Sequence, residues 1–429
     1  MKKTLLTVLC LMTLPLNAMA QMIQLTSKES KNQLWLDPDR FYDYNLYEKS
    51  RWGLGVQYDI NFSDRNSTIA KEEPSGGFKR LSLSAYGAYG YQDQRFKWGL
   101  KADLQGASKS QTHNYLAFIH DLTPAASRTL STPTLNLLSL PSSFMTSLFS
   151  DTYRLTLGHS RKKNKTIESF ELRLSRERPL HNFISLFYPE SYSELKKLRH
   201  LDFAEGQITL AFASGWSAQL LAGCMLYENF ETNPNYIYHE KLLTNPFARL
   251  LVQYDRHFPL SFLDLGIYAQ GGMASSSAPY SRMFDLGGCW GSPLLLNHSL
   301  LTARPNEFTA NVFCMVNLKL TTADPLVDFY NDLFQIGTSP RPFLLGNAAW
   351  GKMTESQNNN ISWINFASPF QSPDRGIAEV GAGIDGLLVW GQVYWGVGAA
   401  YRLTPESASY HLSDTKDNLT FLLTAHIDI

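Results

Sequence analysis

The segment from Leu81 to Leu104, LSLSAYGAYGYQDQRFKWGLKADL, consists of two alternating stretches joined by a short polar link. From Phe96 onward, apolar residues (Phe96, Trp98, Leu100, Ala102, Leu104) alternate with Lys97, Gly99, Lys101 and Asp103. A period of two places the apolar residues on one face of a β-strand and the polar residues on the other. A soluble sandwich turns such an apolar face inward to a core, whereas a membrane β-barrel turns it outward to lipid.

The same alternation recurs along the rest of the chain. It is found in residues 153–157, 170–174, 248–255, 312–320, 393–403 and 419–429. Tilted membrane strands need about nine to eleven residues, about twice the usual length of a soluble strand. We therefore predict an all-β fold, a closed antiparallel transmembrane β-barrel of about 16 strands, within a range of about 12 to 18.

The predicted connections between strands are of two kinds. Residues 92–95 form a tight polar link, whereas residues 122–150, 228–246, 271–305 and 352–376 are long and rich in Ser, Pro, Asn and Gly. This asymmetry predicts long loops on one side of a barrel. Within the long segments, PLVDFYNDLF from Pro325 predicts a short helix. The apolar run from Leu135 to Phe149 is predicted either to fold into the lumen or to pack at the rim.

Composition and cysteine spacing limit the possible functions. Aromatic residues make up 13% of the chain, which suits the aromatic girdles of a membrane barrel. Lys and Arg together equal Asp and Glu at 38 each, so no basic field predicts binding to nucleic acid. After the first 20 residues, Cys224, Cys289 and Cys314 are widely spaced, so we expect no metal site, no cofactor and no disulfide framework.

The first residues predict export. Lys2 and Lys3 precede an apolar stretch from Leu5 to Leu16, and Ala18-Met19-Ala20 supplies the small residues that a signal peptidase accepts. We therefore predict a cleaved signal peptide over residues 1–20, a periplasmic segment over 21–50 and the barrel over 51–429. The predicted location is the outer membrane of a Gram-negative bacterium.

The end of the chain is interpreted as the closing strand. In NLTFLLTAHIDI, one face carries Leu419, Phe421, Leu423, Ala425, Ile427 and Ile429. An alternating last strand that ends on an apolar residue is similar to the signal that delivers barrels to the assembly machinery, although the usual terminal Phe is here Ile429. Outer-membrane lipid and the barrel-assembly machinery are the partners that this interpretation predicts.

Three segments carry a family resemblance. AYGAYGYQDQRFKWGL, AEVGAGIDGLL and VYWGVGAAYRL resemble the barrel region of uncharacterised outer-membrane proteins in which a carboxypeptidase-like regulatory domain often precedes the barrel. The resemblance implies an outer-membrane barrel. Only about 30 residues separate Gln21 from the first predicted strand near Trp52, too few for a domain that needs a core of its own. A function that depends on that domain is therefore not expected here.

A second resemblance suggests an alternative role. MFDLGG, residues 283–288, resembles the lead-in to a conserved loop of the surface-antigen family, whose barrels insert other outer-membrane proteins. The Arg-Gly-Tyr type motif that follows in that family is missing, as are its periplasmic repeats. The alternatives to a solute-passage or surface-binding barrel are therefore an assembly factor and a soluble secreted β protein.

No catalytic motif is present. G-x-S-x-G, H-E-x-x-H and a Gly-rich phosphate loop are all missing from the sequence. His159-Ser160 and His120-Asp121 are the adjacent pairs that an outer-membrane hydrolase would favour. Consecutive strand residues point to opposite faces, so neither pair forms a dyad in a regular strand. We expect the protein not to be an enzyme.

The charges on the polar faces form the candidate functional set. If the apolar faces meet lipid, these side chains converge on the lumen: Lys97, Lys101, Asp103, Arg154, Glu171, Arg173, Arg249, Asp255, Glu379, Asp385 and Arg402. One interpretation is a polar channel or binding cavity with mixed charge, porin-like in character. The other is an ion-pair network that fills and stiffens a closed barrel. The sequence leaves the solute or surface ligand open.

Overall fold

A computed structural model describes most of the chain. The described residues are 23–26, 32–37, 42–45, 49–62, 78–91, 94–106, 111–124, 149–163, 165–180, 198–231, 238–279, 282–286, 300–302, 308–331, 336–353, 374, 376–390, 393–404 and 419–427. The predicted signal peptide lies outside these residues, as does most of the apolar run from Leu135 to Phe149. Among the described residues, no helix is long and apolar enough to span a membrane.

The described secondary structure is almost entirely strand. The first eleven strands are β1 (Ile23–Gln24), β2 (Asn32–Asp37), β3 (Tyr42–Asn45), β4 (Lys49–Asn61), β5 (Phe78–Gly90), β6 (Phe96–Gly106), β7 (Gln111–Pro124), β8 (Phe149–Lys163), β9 (Thr166–Leu180), β10 (Leu198–Phe212) and β11 (Trp216–Glu231). The others are β12 (Tyr238–Leu260), β13 (Leu263–Ala274), β14 (Phe284–Asp285), β15 (Thr309–Ala310), β16 (Val312–Thr322), β17 (Phe329–Asn331), β18 (Ile336–Thr338), β19 (Arg341–Lys352), β20 (Ile377–Trp390), β21 (Val393–Arg402) and β22 (Leu419–Ile427).

The long strands form one antiparallel meander. Each strand from β4 to β13 pairs with the next, then β13 pairs with β16, β16 with β19, and β19 with β20 through to β22. Twenty strands share this sheet, while β14 and β15 form a separate pair. Within the described residues, no pairing joins β22 to the first strands of the sheet.

The sheet extends into the segment that we expected ahead of the barrel. β2 and β3 both pair with the edge of β4 opposite β5, and β1 pairs with β2. Together β2 and β3 act as one interrupted strand beside β4. The described parts of residues 21–50 therefore supply strand to the sheet, and the first long strand begins at Lys49.

The predicted helix after Pro325 is wrong. Residues 329–331 form β17, which pairs with β18 in a short hairpin at Phe329↔Thr338. Because the run is short and carries aromatic residues, cross-strand pairing outweighs its weak helical period.

A meander places successive connections at alternate ends of the sheet. The connections 164–165, 213–215, 261–262 and 391–392 lie at one end, which we call the short-turn end. The connections 125–148, 181–197, 275–311, 353–376 and 403–418 lie at the other, the long-loop end. The tight link at residues 92–95 is also at the long-loop end, and residues 62–77 connect β4 to β5 at the short-turn end.

The two faces of the sheet differ sharply in exposure. Along β4, the side chains of Trp52, Leu54 and Tyr58 are exposed, whereas Arg51 and Asp59 are buried. The same reversal occurs in later strands. Exposed apolar residues there include Leu155 and Leu157 on β8, Leu172 and Leu174 on β9, and Val316 and Leu318 on β16. The structure therefore turns the alternating apolar face outward and the polar face inward, the opposite of a soluble sandwich.

Contacts across the polar face show that this face is concave. Arg51 on β4 and Asp121 on β7 are separated by β5 and β6, a span of about 14 Å along a flat sheet. Their side chains nevertheless meet, with Arg51 Nη1 donating to Asp121 Oδ1 at 2.7 Å. Side chains this far apart in the sheet meet only where it curves toward them, so the sheet wraps around its polar face.

Candidate functional site: the polar interior and its inserted segment

The connection between β13 and β16 packs against the concave face. Described parts of residues 275–311, which we call the inserted segment, share a buried apolar cluster with the wall. The segment contributes Ala278, Phe284, Leu286, Leu300, Phe308 and Ala310 to this cluster. The wall contributes Leu201, Phe203, Leu221, Phe247, Leu251, Tyr268, Ala274, Phe313, Met315, Ala349 and Ile377. Most of these wall residues lie toward the long-loop end, so the described parts of the inserted segment cover the concave face there.

Apolar side chains on the polar face mark where the segment docks. Phe313 and Met315 occupy inward positions of β16. They lie on the same face as Asn317 and Lys319, which follow them along the strand. The ring centroids of Phe313 on the wall and Phe284 in the segment lie 4.6 Å apart, so the two rings are in contact. Along β16, the inward face is therefore apolar where the segment docks and polar further along the strand.

Arg282 fixes the inserted segment to two wall carboxylates. Its Nη2 donates to Glu177 Oε1 at 2.7 Å and its Nε donates to Glu205 Oε1 at 2.5 Å. The guanidinium also lies over the ring of Phe203, 4.2 Å from its centroid. Both carboxylates are buried, at 2% and 6% exposure, so Arg282 offsets the cost of burying their charges, with Arg154 Nη2 3.8 Å from Glu177 as a more distant second cation.

Glu379 holds the segment at a second point. Its carboxylate accepts hydrogen bonds from the backbone N–H groups of Leu301 at 2.7 Å and Thr302 at 2.9 Å, and from the Thr302 hydroxyl. Asn347 Nδ2 donates to the same carboxylate at 3.2 Å. Arg402 Nη2 donates to the Thr302 carbonyl at 3.1 Å. Glu379 on β20 and Arg402 on β21 thus hydrogen-bond to the backbone of residues 301–302.

Substituting Glu379 should weaken the attachment of the inserted segment to the wall. Glu379→Gln presents an amide group to backbone donors, and a lost bond to a buried donor costs about 1 to 3 kcal/mol. We expect a loss of that size in urea unfolding and faster protease cleavage within residues 287–299. Glu168→Gln, at an exposed position on β9, is the matched control and should be near neutral. Equal losses in the two variants would contradict the anchoring role.

A third set of polar contacts lies nearer the link between β5 and β6. The Asp151 carboxylate accepts from Arg95 Nη1 at 2.5 Å and from Lys97 Nζ at 3.5 Å. His120 Nε2 lies 2.8 Å from Asp151 Oδ1. Lys97 is fully buried. A cation with no exposure is stable only beside such a carboxylate, so this set is structural in character.

The eleven candidate lumen charges all lie in described strands, with different degrees of burial. Buried members are Lys97, Arg249, Glu379, Asp385 and Arg402. Partly exposed members are Asp103, Arg154, Glu171 and Arg173, and exposed members are Lys101 and Asp255. Contacts join several of them to each other or to further residues, including Lys319 with Asp385, Arg154 with Glu177, and Arg173 with Glu171.

Sequence reasoning missed the carboxylates that hold Arg282. Glu177 continues the inward register of Glu171 and Arg173, so extending the alternation by two more pairs of residues would have included it. Glu205 gave no such signal, because its inward neighbours Leu201 and Phe203 are apolar and hid the polar face of β10. Arg282 lies in a connection, where no period of two applies.

The two adjacent pairs considered for hydrolysis do not form dyads. His120 Nε2 contacts Asp151, whereas Asp121 accepts from Arg51 and from the Tyr86 hydroxyl at 2.5 Å. His159 Nδ1 contacts Asn114 Oδ1 at 2.7 Å. Across the part of the chain that the structure describes, no group of three or more His, Cys, Asp or Glu residues is arranged to hold a metal ion.

Comparison with known proteins gives structural likeness alone. No family model matches the chain, so the resemblance based on its glycine-aromatic segments gains no support there, and no curated protein matches. Similar solved structures include BamA from Haemophilus ducreyi lacking POTRA domains 1–3, with 10% identity and a TM-score of 0.46 over 95% of this chain and 75% of that chain. CdiB from Acinetobacter baumannii has 10% identity and a TM-score of 0.39 over 91% and 62%.

A third similar structure is the outer membrane channel DcaP of Acinetobacter baumannii. Its identity is 10% and its TM-score is 0.34, over 88% of this chain and 92% of that chain. At these identities and scores, the likeness assigns no activity to this chain.

Proposed function

We propose that the protein is an integral outer-membrane β-barrel, exported through a cleaved signal peptide and closed by pairing of β22 with the interrupted strand β2–β3. With that strand counted once, the long strands number about 16, enough to close a barrel. The observation that carries the proposal is the exposed apolar face on a sheet whose concave face is polar. Short turns then lie in the periplasm and long loops at the cell surface.

The proposed role is non-enzymatic: small-solute passage or binding at the cell surface, with the lumen closed at rest. The support is the inserted segment, which Arg282 and Glu379 hold against the wall toward the long-loop end. Beyond the segment, the inner wall carries polar residues such as Gln57, Ser84 and Lys101. A barrel that is filled at one end and polar at the other suits controlled passage better than free diffusion.

Two measurements test this proposal in sequence. Carbonate extraction followed by heat-modifiable gel migration should leave the protein in the membrane as a compact species, whereas a soluble secreted protein would be extracted. Planar bilayers should then show little conductance for the wild type and a several-fold increase when residues 287–299 are deleted. Deleting residues 135–148, within the apolar run from Leu135 to Phe149, is the matched comparison and should raise conductance only if that run enters the lumen. Extraction by carbonate would contradict the barrel, and a wide-open wild type would contradict the closed lumen.

The outward apolar face gives a prediction about lipid contact. Leu100 is exposed on β6, and Leu100→Arg near the middle of the membrane should cost about 2 to 4 kcal/mol. Lys101→Leu, on the inward face of the same strand, should cost far less. Urea unfolding in liposomes measures both, and equal losses would contradict the assigned sidedness.

The assembly-factor alternative rests on the resemblance of MFDLGG, residues 283–288. Met283, Phe284 and Leu286 of the MFDLGG stretch are buried within the inserted segment. A role in assembly predicts that depletion of the protein lowers the levels of other outer-membrane barrels. Solute passage or surface binding predicts unchanged levels.

A further inference from the structure

The inner wall of β4–β7 contains a polar hollow near the short-turn end. Its volume is about 130 Å³, and it is lined by Gln57, Arg80, Ser82, Ser84, Lys101, Asp103, Gln105 and His113. These residues share the concave face of four neighbouring strands. We call this cavity the serine hollow.

Strand register explains why a hollow forms at this point. Ser82 lies between Asp59 on β4 and Asp103 on β6, and Ser84 lies between Gln57 and Lys101. Two short side chains are thus flanked on both sides by longer ones. The serines form a floor that can donate hydrogen bonds, and the longer polar side chains form the walls.

Arg80 lies at one end of the hollow, and its Nε–H donor has no hydrogen-bond partner. Its Nη1 is 3.6 Å from Asp59 Oδ2, an ion pair too long for a hydrogen bond. Asp59 instead accepts from Trp35 Nε1 at 3.0 Å and Gln57 Nε2 at 2.9 Å. Arg80 Nε is buried and has no hydrogen-bond partner. A buried donor of this kind is costly unless something accepts from it.

Lys101 stands at the opposite end. Arg80 and Lys101 pair with Gln105 and Ser84, so their Cα atoms are about 13 Å apart along the strands, and both long side chains can reach the floor. Lys101 Nζ lies 3.2 Å from Asp103 Oδ2, and its side chain is 45% exposed. His113 Nδ1 lies 3.1 Å from the other oxygen of the same carboxylate. Asp103 therefore contacts two groups, and the exposed Lys101 side chain is accessible to a further anion.

We propose that the serine hollow binds the oxyanion group of a small solute, a carboxylate or a phosphate, between Arg80 and Lys101. This assignment rests on the proposed barrel, because it places the hollow inside the lumen on the periplasmic side of the inserted segment. Arg80 supplies a planar donor fork, Lys101 a compact charge, and Ser82 and Ser84 hydroxyl donors. Asp103 competes for Lys101, which keeps binding weak enough for a solute to leave again, as passage requires.

Calorimetric titration of the purified full-length protein in detergent tests this assignment. The probes are inorganic phosphate and acetate, with chloride at equal ionic strength as the reference. We expect saturable binding of at least one oxyanion and none of chloride. Saturation by phosphate alone or by acetate alone identifies which group the solute carries. If the protein shows heat-modifiable migration yet neither oxyanion binds, the hollow assignment is overturned while the barrel stands.

Variants separate specific binding from general attraction of anions. Arg80→Gln with Lys101→Gln should weaken binding at least ten-fold, because it removes both cations from the hollow. Lys162→Gln with Arg256→Gln removes the same two charge types from exposed positions on β8 and β12 and should leave binding unchanged. Equal weakening in the two double variants would overturn the assignment.

Asp103→Asn should change the affinity for oxyanions in the opposite direction. Removing this carboxylate frees Lys101 and removes repulsion, so oxyanion binding should become several-fold tighter. A purely structural role for the Asp103 contacts predicts weaker binding or poorer folding instead. Tighter binding in a variant with unchanged heat-modifiable migration supports the hollow as the site, and weaker binding contradicts it.

Discussion

Deletion of residues 421–429 is expected to abolish membrane assembly. β22 spans Leu419–Ile427 and pairs along its length with β21, from Val393↔Ile427 to Tyr401↔Leu419. The deletion leaves only its first two residues. β21 would then present unpaired N–H and C=O groups to hydrocarbon, where each unsatisfied group costs several kcal/mol. Summed over the β21 groups that lose their partners, this cost exceeds the usual stability of a folded domain.

Outer-membrane levels and heat-modifiable migration of the truncated protein measure this effect. A deletion of similar length within residues 405–418, between β21 and β22, is the matched control and should assemble at near-normal levels. If the protein that lacks residues 421–429 reaches the outer membrane at wild-type levels, β22 is not the closing strand.

Arg282→Met is expected to be the most destabilising single substitution in the interior. It leaves the buried carboxylates of Glu177 and Glu205 without their shared cation, and breaking a buried ion pair in this way costs about 3 to 5 kcal/mol. The inserted segment should detach at this point, so single-channel conductance should rise in the same variant. Urea unfolding and planar bilayers measure the two effects separately.

Two further variants show whether the buried charges cause the loss. Arg282→Met combined with Glu177→Gln and Glu205→Gln removes the uncompensated charges and should recover most of the stability. Arg176→Met breaks the exposed pair with Asp202, whose nitrogen and oxygen are 2.7 Å apart, and should cost less than about 1 kcal/mol. If Arg282→Met costs no more than Arg176→Met, the inserted segment is not held by this cluster.

Much of the sheet could be predicted from the sequence because its main signal is local. On β16, the alternation of Val316 and Leu318 with Asn317 and Lys319 fixes the two faces from four residues in a row. The predicted long connections near 122–150, 271–305 and 352–376 agree with the observed ones, whereas the predicted connection 228–246 is wrong, because β12 already begins at Tyr238. The outward direction of the apolar face was one of two possibilities, and only contacts across several strands, such as Arg51 with Asp121, decide it.

The interior could not be predicted in the same way, because its contacts join distant parts of the chain. Arg282 is 105 residues from Glu177 and 77 from Glu205, and no local pattern links them. Inward apolar residues such as Phe313 and Phe203 interrupt the polar alternation where the inserted segment covers them. The short pairs ahead of β4 and the hairpin at Phe329 were missed because strands of a few residues carry too little periodicity.

Quenching by brominated phospholipids at single cysteines tests the central claim most directly. Leu100 and Lys101 are neighbours on β6 and both are exposed, but they lie on opposite faces. In a background that lacks Cys224, Cys289 and Cys314, a fluorophore at Leu100→Cys should be quenched by bromine in the acyl chains. The same fluorophore at Lys101→Cys should be quenched only by aqueous iodide. Quenching of both positions by the brominated lipid, or of neither, would contradict a barrel with its apolar face in lipid and its polar face in the lumen.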